Sequence, residues 1–529
     1  MAAALAYDLI VIGGGSGGVA AARRAAGHGA RVAVVEMGAL GGTCVNVGCV
    51  PKKLMYTAAG LLSEVQHAAV HAGVRAGGGA GAEALTRATM DLPALKAARD
   101  AYVQRLATVS YPGHLAASGV AVHRGRAAFL DARTVRVEAA EPAQLTAPHI
   151  LIAVGGVPRK LAVPGGELAI TSDGVFDLAA IPPRVTVVGA GYIAVEMAGI
   201  LHALGSAVTL LAREAGCAHP VLRGFDETMR AAVAGEMRRA GIAIVGGAVP
   251  ARIERRADGL AVLGAGGEPL APPADVVLQA VGREPNLRGL NLEAVGVAVD
   301  ARGRVAVDEL QNCSAAGVYA VGDAASNGFE LTPVAIAAGR LLADRLFGGP
   351  AFARARVAYD ARSIPTVVFT HPPLGTVGLT EAAARAAHGD AAVKVYRAAF
   401  APMLRAFQPA ADVCKTTMKV VVVGPEETVV GLHVHGDGAD EMLQGFAVAV
   451  QARLTMRDFN SRCAAGGEAP RAHPVPSPNL PRAASRPPPM PRSPSSSPLS
   501  SAWPFTQPPR KSSLRLSHGS RPTARLTTD

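Results

Sequence analysis

Two stretches of the chain share one hydrophobic pattern: an apolar run, a glycine-rich turn, an Ala-rich segment and a second apolar run. The first stretch is YDLIVIGGGSGGVAAARRAAGHGARVAVVE, ending at Glu36, and the second is RVTVVGAGYIAVEMAGILHALGSAVTLLAR, ending at Arg213. Short apolar runs bounded by glycine favour buried strands, and the longer segment between them favours a helix. Each stretch therefore predicts one βαβ unit, and the chain is expected to bind two nucleotides.

Shorter apolar runs lie between and after these units. HILIAVGG (149–156) and DVVLQAVGREPN (275–286) are interpreted as crossings between domains. From Val357 to Asn460 alternating runs (TVVF, KVVVVG, VVGLHVHG) precede DEMLQGFAVAVQARLTMRDF, which predicts one helix. The fold class is therefore α/β, with two Rossmann-like domains and a C-terminal α+β domain.

The composition changes to Pro, Ser and Arg after Asn460. Such a segment has too few apolar residues to form a core, so residues 461–529 are expected to be disordered. Ten basic and two acidic residues lie in this tail, which therefore supplies +8 of the net charge of +11. The remaining +3 gives no basic bias that would indicate a nucleic-acid partner.

The other bulk features favour a cytoplasmic protein. The N-terminal apolar stretch contains Asp8 and several glycines, so it does not predict a membrane span or signal peptide. Six cysteines in 529 residues are too sparse for the disulfide framework of a small secreted domain. The first strand begins close to Met1 and the LTTD end is no peroxisomal signal, so no targeting segment and no membrane partner are expected.

The first glycine turn has the spacing of a dinucleotide site. Gly13, Gly15 and Gly18 form GxGxxG between a strand and a helix, which permits a tight turn, close approach of a pyrophosphate and close helix packing. The helix N-terminus favours the phosphate charge. Glu36, at the end of the second strand, is placed to accept hydrogen bonds from a ribose diol. A turn that serves packing alone is the alternative, and the strand and helix context argues against it.

The second glycine turn indicates which dinucleotide is bound. Gly189, Gly191 and Ala194 form GxGxxA. An NAD enzyme would end the following strand with an acidic residue, whereas this strand ends in LAR at Arg213. The second unit is therefore predicted to bind NADPH.

Two cysteines follow the first unit in GGTCVNVGCVPKK. Cys44 and Cys49 would lie about 7.5 Å apart along a regular helix, whereas a disulfide needs Cα atoms within about 7 Å. A bridge between them requires a distorted helix start, which Gly48 and Pro51 would favour. So small a bridge suits exchange with a substrate disulfide, and the two lysines that follow favour a thiolate. Two unrelated buried thiols are the alternative.

These segments, with AVGDA (320–324) and DEMLQGFAVAV (440–450), resemble the glutathione reductases, and the likeness extends from Tyr7 to Asn460. Such a match is specific for the pyridine nucleotide-disulfide oxidoreductases. The resemblance implies a homodimer with FAD and NADPH that reduces glutathione disulfide and maintains cell redox homeostasis. It implies an FAD-binding domain at 1–153, an NADPH-binding domain at 154–285, a central segment at 286–356 that completes the FAD domain, and an interface domain at 357–460.

The resemblance also implies a role for each reactive residue. Cys49 would face the flavin as the charge-transfer thiolate, and Cys44 would attack the substrate disulfide. Lys52 and Glu196 would form an ion pair beside the flavin, and Tyr192 would cover the nicotinamide pocket.

The same matching implies contacts to both cofactors. Those to FAD would come from Gly13, Gly15, Ser16, Gly17, Gly18, Glu36, Gly42, Thr43, Cys44, Lys52, Ala127, Asp323 and Thr332. Those to NADPH would come from Gly189, Ala190, Gly191, Ile193, Ala194, Glu196, Arg213, Arg223, Gly282 and Val367. One extra residue separates Asp323 from Thr332, and the segment EAGCAHPVL between the two arginines is longer than usual for the family. Guanidinium groups suit a 2′-phosphate because they present paired donors.

The substrate site should contain arginine, because glutathione disulfide is polyanionic. Ser16, Arg23, Tyr111 and Arg340 match the family's substrate contacts. Tyr111 is one residue out of register, which leaves Tyr102 as a second candidate. Without the resemblance, both helix arginines would be interpreted as solvated.

Related families fit less well. Dihydrolipoamide dehydrogenases have CxPSK after the cysteines and an acid at the dinucleotide site, and trypanothione reductases lack the equivalent of Arg23. Mercuric and thioredoxin reductases would add a C-terminal cysteine or selenocysteine pair, and here only Cys463 is present. His433 and His435 could share a strand face and bind a metal, but no further ligands lie near them in the sequence, so no metal is expected.

The chain departs from the family after the predicted helix. Glutathione reductases continue with a segment close to HPTSSEE, whose histidine and glutamate act as acid and base across the dimer. Here DFNSRCAAGGEAPRAHPVPSPN follows instead, and the His473-Pro474 pair has the wrong spacing and no glutamate. A positioned histidine contributes about 10² to 10⁴ in rate. An impaired FAD and NADPH binder with diaphorase-type activity is therefore an alternative function, and a partner-binding tail is a third hypothesis.

Overall fold

The computed structural model describes residues 5–75, 81–326, 329–356, 364–409 and 413–461, and the backbone of residues 473–474. The strands in chain order are β1 (Leu5–Ala6), β2 (Leu9–Ile12), β3 (Val32–Glu36), β4 (Ala121–Arg124), β5 (Arg126–Asp131), β6 (Thr134–Glu138), β7 (Ala143–Thr146), β8 (His149–Ile152), β9 (Gly156–Pro158), β10 (Ile170–Thr171), β11 (Arg184–Val188), β12 (Ala207–Ala212), β13 (Ala243–Gly246), β14 (Arg252–Arg256), β15 (Gly259–Leu263), β16 (Val276–Gln279), β17 (Arg283–Pro285), β18 (Val318–Ala320), β19 (Thr366–Val368), β20 (Leu374–Gly378), β21 (Val393–Phe400), β22 (Thr416–Val423), β23 (Thr428–His435) and β24 (His473–Pro474).

Helices connect these strands and cover the sheets. In chain order they are α1 (Ser16–Gly27), α2 (Gly42–Asn46), α3 (Cys49–His71), α4 (Gly81–Thr86), α5 (Leu92–Arg105), α6 (Tyr111–Ala117), α7 (Tyr192–Ala203), α8 (Glu227–Arg239), α9 (Thr332–Phe347), α10 (Glu381–His388), α11 (Ala439–Gln451) and α12 (Met456–Asn460). A π-helical turn, Leu106–Ser110, joins α5 to α6.

The first βαβ unit lies in a parallel sheet of order β18-β8-β2-β3-β4. Every residue of β2 is buried, as expected for a parallel strand covered on both faces. Helices α1 and α9 pack closely, because a Cβ atom at Gly339 would lie 2.4 Å from the carbonyl oxygen of Gly17. Since β18 and α9 come from the central segment, that segment completes the first layer. A mixed sheet of order β1-β7-β6-β5 packs beside it.

The second βαβ unit lies in a parallel sheet of order β10-β16-β11-β12-β13. The segments 149–156 and 275–286, predicted as crossings between domains, each contain a strand of a parallel sheet, β8 or β16, and each also reaches the strand that follows it, β9 or β17. The crossings are the next strands, β9 and β17, which pair with each other in antiparallel register. Residues after each sheet strand, and not the strand itself, connect the two layers.

The third layer is an antiparallel sheet of order β19-β20-β23-β22-β21-β24, and α11 packs on it through Leu443 and Val450. The single helix predicted from Asp440 to Phe459 is wrong. Helix α11 ends at Gln451, and α12 begins after Thr455, whose side chain forms a capping box with Asp458.

Residues 357–363, where the predicted domain begins, lie outside the described residues, as does most of the tail predicted to be disordered. Within the described ranges, no helix combines the length and apolar character needed to cross a membrane.

Candidate active site

The two cysteines lie on either side of a helix break. Cys44 lies in α2 and Cys49 is the first residue of α3, with Val47 and Gly48 in non-helical conformations between them. This break is the distorted helix start that the spacing requires. The two thiols lie within hydrogen-bonding reach of each other, and a hydroxyl of Thr332 lies 3.8 Å from Cys49 Sγ.

The surroundings give the two thiols different acidities. The hydrogen bond from Cys44, assisted by Thr332 and the charge of Lys52, lowers the pKa of Cys49 to about 6 even though partial burial opposes it. The same hydrogen bond raises the pKa of Cys44, and burial raises it further. Cys49 also begins a 23-residue helix, whose N-terminus stabilises a thiolate. The pair therefore holds its negative charge on Cys49 and its proton on Cys44.

A buried ion pair lies next to the cysteines. Lys52 Nζ donates to Glu196 Oε1 at 2.9 Å, and both residues are at least nine-tenths buried. The same carboxylate oxygen accepts the backbone N–H of Phe369 at 2.9 Å, and Lys52 Nζ lies 3.8 Å from the Phe369 ring centroid. Since Lys52 comes from α3, Glu196 from α7 and Phe369 from the third domain, this pair joins all three layers beside the thiols.

The first glycine turn touches the cysteine helix. Gly13 N–H donates to Val35 O at 2.8 Å, which holds the turn against β3. A Cβ atom at Gly42 would lie 2.8 Å from the Cα atom of Gly15, and Gly42 has φ +61°, so glycine is required at this contact. Ser16, the first residue of α1, lies within hydrogen-bonding reach of Cys44.

The second turn repeats this arrangement. Gly189 N–H donates to Leu211 O at 3.0 Å, and α7 begins at Tyr192, directly after Gly191. Tyr192 is 40% exposed, and Glu196 lies one turn further along the same helix. The second nucleotide turn and the buried ion pair are therefore carried by one short helix.

Comparison with known proteins agrees with this geometry. The sequence profile described as pyridine nucleotide-disulphide oxidoreductase matches residues 7–339, and the profile of the corresponding dimerisation domain matches residues 364–469. A glutathione reductase of Yarrowia lipolytica (strain CLIB 122 / E 150) is 39% identical over 464 residues, which cover 86% of this chain and 95% of that protein.

The chain belongs to the pyridine nucleotide-disulphide oxidoreductases. The predicted fold class is confirmed, including the third domain as a dimerisation domain. Membership of this family and the likeness to the yeast enzyme identify FAD and NADPH as the cofactors.

The residues of the first unit fit the adenosine end of FAD. Glu36 accepts the N–H groups of Gly14 and Gly38, each at 2.6 Å, and a carboxylate keeps lone pairs for further donors such as ribose hydroxyls. Gly13, Glu36 and Ala127 line one cavity together. Sequence reasoning missed its other lining residues, Met37, Gly125, Arg126, Val154, Asn286 and Arg288 among them.

Asp323 fits the polar chain of the flavin. It lies in a short 3₁₀ turn after β18, and burial together with the charge of Glu330 raises its pKa. Among the described residues no side chain donates a hydrogen bond to its carboxylate. A partly buried acceptor without a protein donor suits a ligand hydroxyl. Thr332, whose register the sequence left open, begins α9 beside Cys49.

The remaining predicted NADPH residues lie around the second turn. Ala194 is fully buried, and Ile193 is partly buried against the hydrophobic core around β11 and α7. The carbonyl of Ala190 accepts the N–H of Leu222 at 2.8 Å. Val367 lies in β19, two residues before Phe369, and Gly282 directly precedes β17. Arg213 and Arg223 are both exposed, at the two ends of one loop.

The structure shows a contact with Cys44 for only some of the predicted substrate residues. Tyr111 follows the π-helical turn. Burial is the main cause that raises the pKa of Tyr111, and the electrostatic influence of the nearby Cys44 is the second. A π turn accommodates one extra residue, which agrees with a register shift of one, and Tyr111 is partly buried whereas Tyr102 is exposed. Arg23 on α1 donates to Ser118 Oγ at 3.3 Å, and Arg340 on α9 is exposed.

The two strand histidines are both buried, and His433 forms hydrogen bonds through its ring nitrogens. His433 is within 2.5 Å of Thr376 Oγ1 and 3.1 Å of Leu379 O, and His435 is 1% exposed. In the described part of the chain no group of three or more His, Cys, Asp or Glu side chains is arranged to hold a metal ion.

Proposed function

We propose that the chain reduces glutathione disulfide to two glutathione molecules at the expense of NADPH, as a glutathione-disulfide reductase of the EC 1.8.1.7 type. The observation that carries this proposal is the pair of neighbouring thiols with opposite pKa shifts, Cys44 protonated and Cys49 ionised. The 39% identity to a glutathione reductase over 86% of the chain supports the choice of substrate and does not favour the diaphorase-type alternative.

The proton held by the thiol pair can serve the first step of the exchange. When bound, FAD would transfer two electrons from NADPH to the Cys44–Cys49 disulfide. As Cys44 attacks one sulfur of glutathione disulfide, its proton passes along the hydrogen bond to Cys49, and the substrate S–S bond breaks. Cys49 then gives this proton to the departing glutathione. The Cys49 thiolate attacks the mixed disulfide at Cys44, re-forms the intramolecular bond and releases the second glutathione, which takes a proton from water.

The surroundings support an anionic substrate at Cys44. Tyr111 and Ser16 lie beside that thiol, and the closely packed helices α1 and α9 carry Arg23 and Arg340, one on each. Guanidinium groups on two adjacent helices would pair with the carboxylates of a tripeptide disulfide. This assignment of the substrate residues remains a prediction.

The test is NADPH oxidation by the purified, FAD-loaded full chain. We expect oxidation that depends on added glutathione disulfide. Cys44→Ser should reduce that turnover by at least about a hundredfold, because the nucleophile is lost, while NADPH-dependent reduction of a dye persists. Cys313→Ser, which changes a thiol outside the pair, is the matched control and should leave both rates unchanged. Dye reduction by the unsubstituted chain without turnover of glutathione disulfide would overturn the proposal in favour of the alternative.

The assembly and location complete the proposal. The dimerisation domain at residues 364–469 supports a homodimer. A cytoplasmic location remains a prediction, which fluorescence microscopy of the tagged full chain would check.

A further inference from the structure

We propose that Arg230 is a positioning residue that fixes the loop between Arg213 and Arg223, and so sets the preference for NADPH over NADH. This inference rests on the assignment of those two arginines to the 2′-phosphate. The loop contains EAGCAHPVL, the segment that is longer than usual for the family, and a longer exposed loop needs additional contacts to hold both of its ends in place.

The end of the loop is held in a strained conformation. Leu222 has φ +52°, a backbone angle that residues other than glycine rarely adopt, and it is 1% exposed. Its N–H donates to Ala190 O at 2.8 Å, inside the second glycine turn. Since Arg223 is the next residue, its starting point relative to the nucleotide turn depends on this conformation.

Arg230 contacts the loop from its other side. Its Nε donates to Val221 O at 2.9 Å, and Nη2 donates to His219 O at 2.8 Å. Nη2 also lies 3.0 Å from the carboxylate of Glu214, the residue after Arg213. One guanidinium thus binds both ends of the segment that separates the two phosphate arginines.

The guanidinium is committed to the protein and is not itself a phosphate ligand. Its side chain is 11% exposed, and its remaining terminal nitrogen, Nη1, donates to Glu227 at 3.0 Å. A planar group with donors in a fixed fork can serve several acceptors at once, which a lysine ammonium cannot do with the same geometry.

The helix that carries Arg230 is anchored independently of the loop. Asp226 caps α8 by accepting the N–H of Thr228 at 3.0 Å, and Lys419 Nζ donates to both carboxylate oxygens of Asp226, at 2.7 and 2.8 Å. Asp226 also accepts the N–H of Glu381 at 3.0 Å. Arg230 therefore reaches the loop from a base held by the third domain.

The experiment measures recognition of the 2′-phosphate directly. Calorimetry on the FAD-loaded full chain would compare the affinity for 2′,5′-ADP with that for ADP. We expect Arg230→Met to reduce the preference for 2′,5′-ADP by about tenfold, with ADP affinity nearly unchanged, and Arg230→Lys to reduce it less. Arg256→Met makes the same change at an exposed site of the same domain and should leave the preference unaltered.

A double variant separates positioning from direct binding. If Arg230 acts through the two phosphate arginines, Arg223→Ala combined with Arg230→Met should lose less preference than the sum of the two single losses. Additive losses, or equal weakening of ADP and 2′,5′-ADP in Arg230→Met, would overturn the inference. If Arg230→Met fails to fold, Glu214→Gln removes one contact on the loop and should reduce the preference about threefold; no change would count against the inference.

The unsubstituted chain separates failure of the NADPH assignment from failure of the positioning role of Arg230. An unsubstituted chain that does not prefer 2′,5′-ADP contradicts the NADPH assignment, and the role of Arg230 fails with it. A chain that prefers 2′,5′-ADP equally with and without Arg230 contradicts only the positioning role.

Discussion

Cys49 carries a charge that its own sequence neighbours would only partly explain. The lysines at 52 and 53 are visible in the sequence, but the first cause of the lowered pKa is the hydrogen bond from Cys44, which exists only because the helix breaks between the two cysteines. Since this bond stabilises the thiolate and not the thiol, it lowers the pKa. The acidity of the residue is thus a property of the pair.

We predict that the reactivity of Cys49 in the reduced protein titrates at about pH 6. A lowered pKa leaves the thiolate present above that value, and alkylation should slow as the pH falls through it. In Cys44→Ala the donor is lost, so the midpoint should move upward toward that of an ordinary thiol. Iodoacetamide labelling at a series of pH values, followed by peptide mass spectrometry, measures both midpoints.

Cys44→Ser is the control for this prediction because its hydroxyl can still donate a hydrogen bond. Its midpoint should lie between those of the unsubstituted protein and Cys44→Ala. An identical midpoint in all three proteins would show that Lys52 and the helix N-terminus set the charge without Cys44.

At the scale of elements, the sequence predicts the features that depend on local patterns of residues. Both βαβ units, their glycine turns and the position of Glu36 followed from apolar runs and spacing. The short helix α12 also has a signal in the sequence, since Thr455 and Asp458 have the spacing of a capping box. This signal lies within the stretch whose hydrophobic pattern predicts one continuous helix.

Other features depend on contacts between distant segments. The π turn before Tyr111 leaves no clear pattern in the sequence, and the cavity beside Glu36 includes Asn286 and Arg288, which are far along the chain from Glu36. The contact of Arg230 with the loop at 214–221 depends on the angle at which α8 leaves that loop. The π turn, the cavity lining and the contact of Arg230 therefore depend on tertiary packing.

A buried lysine on a strand of the third layer binds the start of a helix in the second layer. Lys419, in the centre of β22, is 2% exposed and binds Asp226 at the start of α8 and Glu381 at the start of α10. Burial opposes the charges of both carboxylates, yet the hydrogen bonds from Lys419 prevail and lower the pKa of Asp226. The pKa of Glu381, which Arg385 and Arg397 also lower, falls to about 2.

We predict that Lys419→Met destabilises the folded protein by about 3 kcal/mol at neutral pH, because it leaves the buried carboxylate of Asp226 without its cation, whereas Glu381 keeps Arg385 and Arg397. Groups with a lowered pKa in the folded state stabilise it above their ordinary pKa, and this stabilisation is lost as the pH falls toward the folded pKa. The difference between the two proteins should therefore shrink below about pH 4.5. The urea concentration at the unfolding midpoint, measured from neutral to acidic pH, tests this.

Lys394→Met is the matched control. Lys394 pairs with Glu427 at 2.6 Å, but its side chain is 48% exposed, so its loss should cost less than about 1 kcal/mol. A difference between Lys419→Met and the unsubstituted protein that stays constant with pH would mean that the lysine contributes by packing alone.

At the scale of the whole molecule, the dimerisation domain requires a surface that a second copy can cover. Leu61 and Val65 on α3 are exposed, as are Leu404 and Phe407, and we call these four residues the apolar ridge. The turn at 403–407 is held against α3, since Arg405 Nη2 lies 2.7 Å from a carboxylate oxygen of Glu64. Apolar side chains grouped in this way are typical of a protein interface.

We predict that Phe407→Glu converts the dimer into a monomer. Phe407 is 71% exposed in the single chain, and burying it would contribute about 1.5 to 3 kcal/mol in each copy, whereas an unpaired buried carboxylate opposes association. In a twofold-symmetric dimer the substitution acts twice. Analytical ultracentrifugation should show the mass of one chain for Phe407→Glu. Val299→Glu, at a 52% exposed position in the central segment, should remain dimeric. A dimeric Phe407→Glu protein would place the interface away from the apolar ridge.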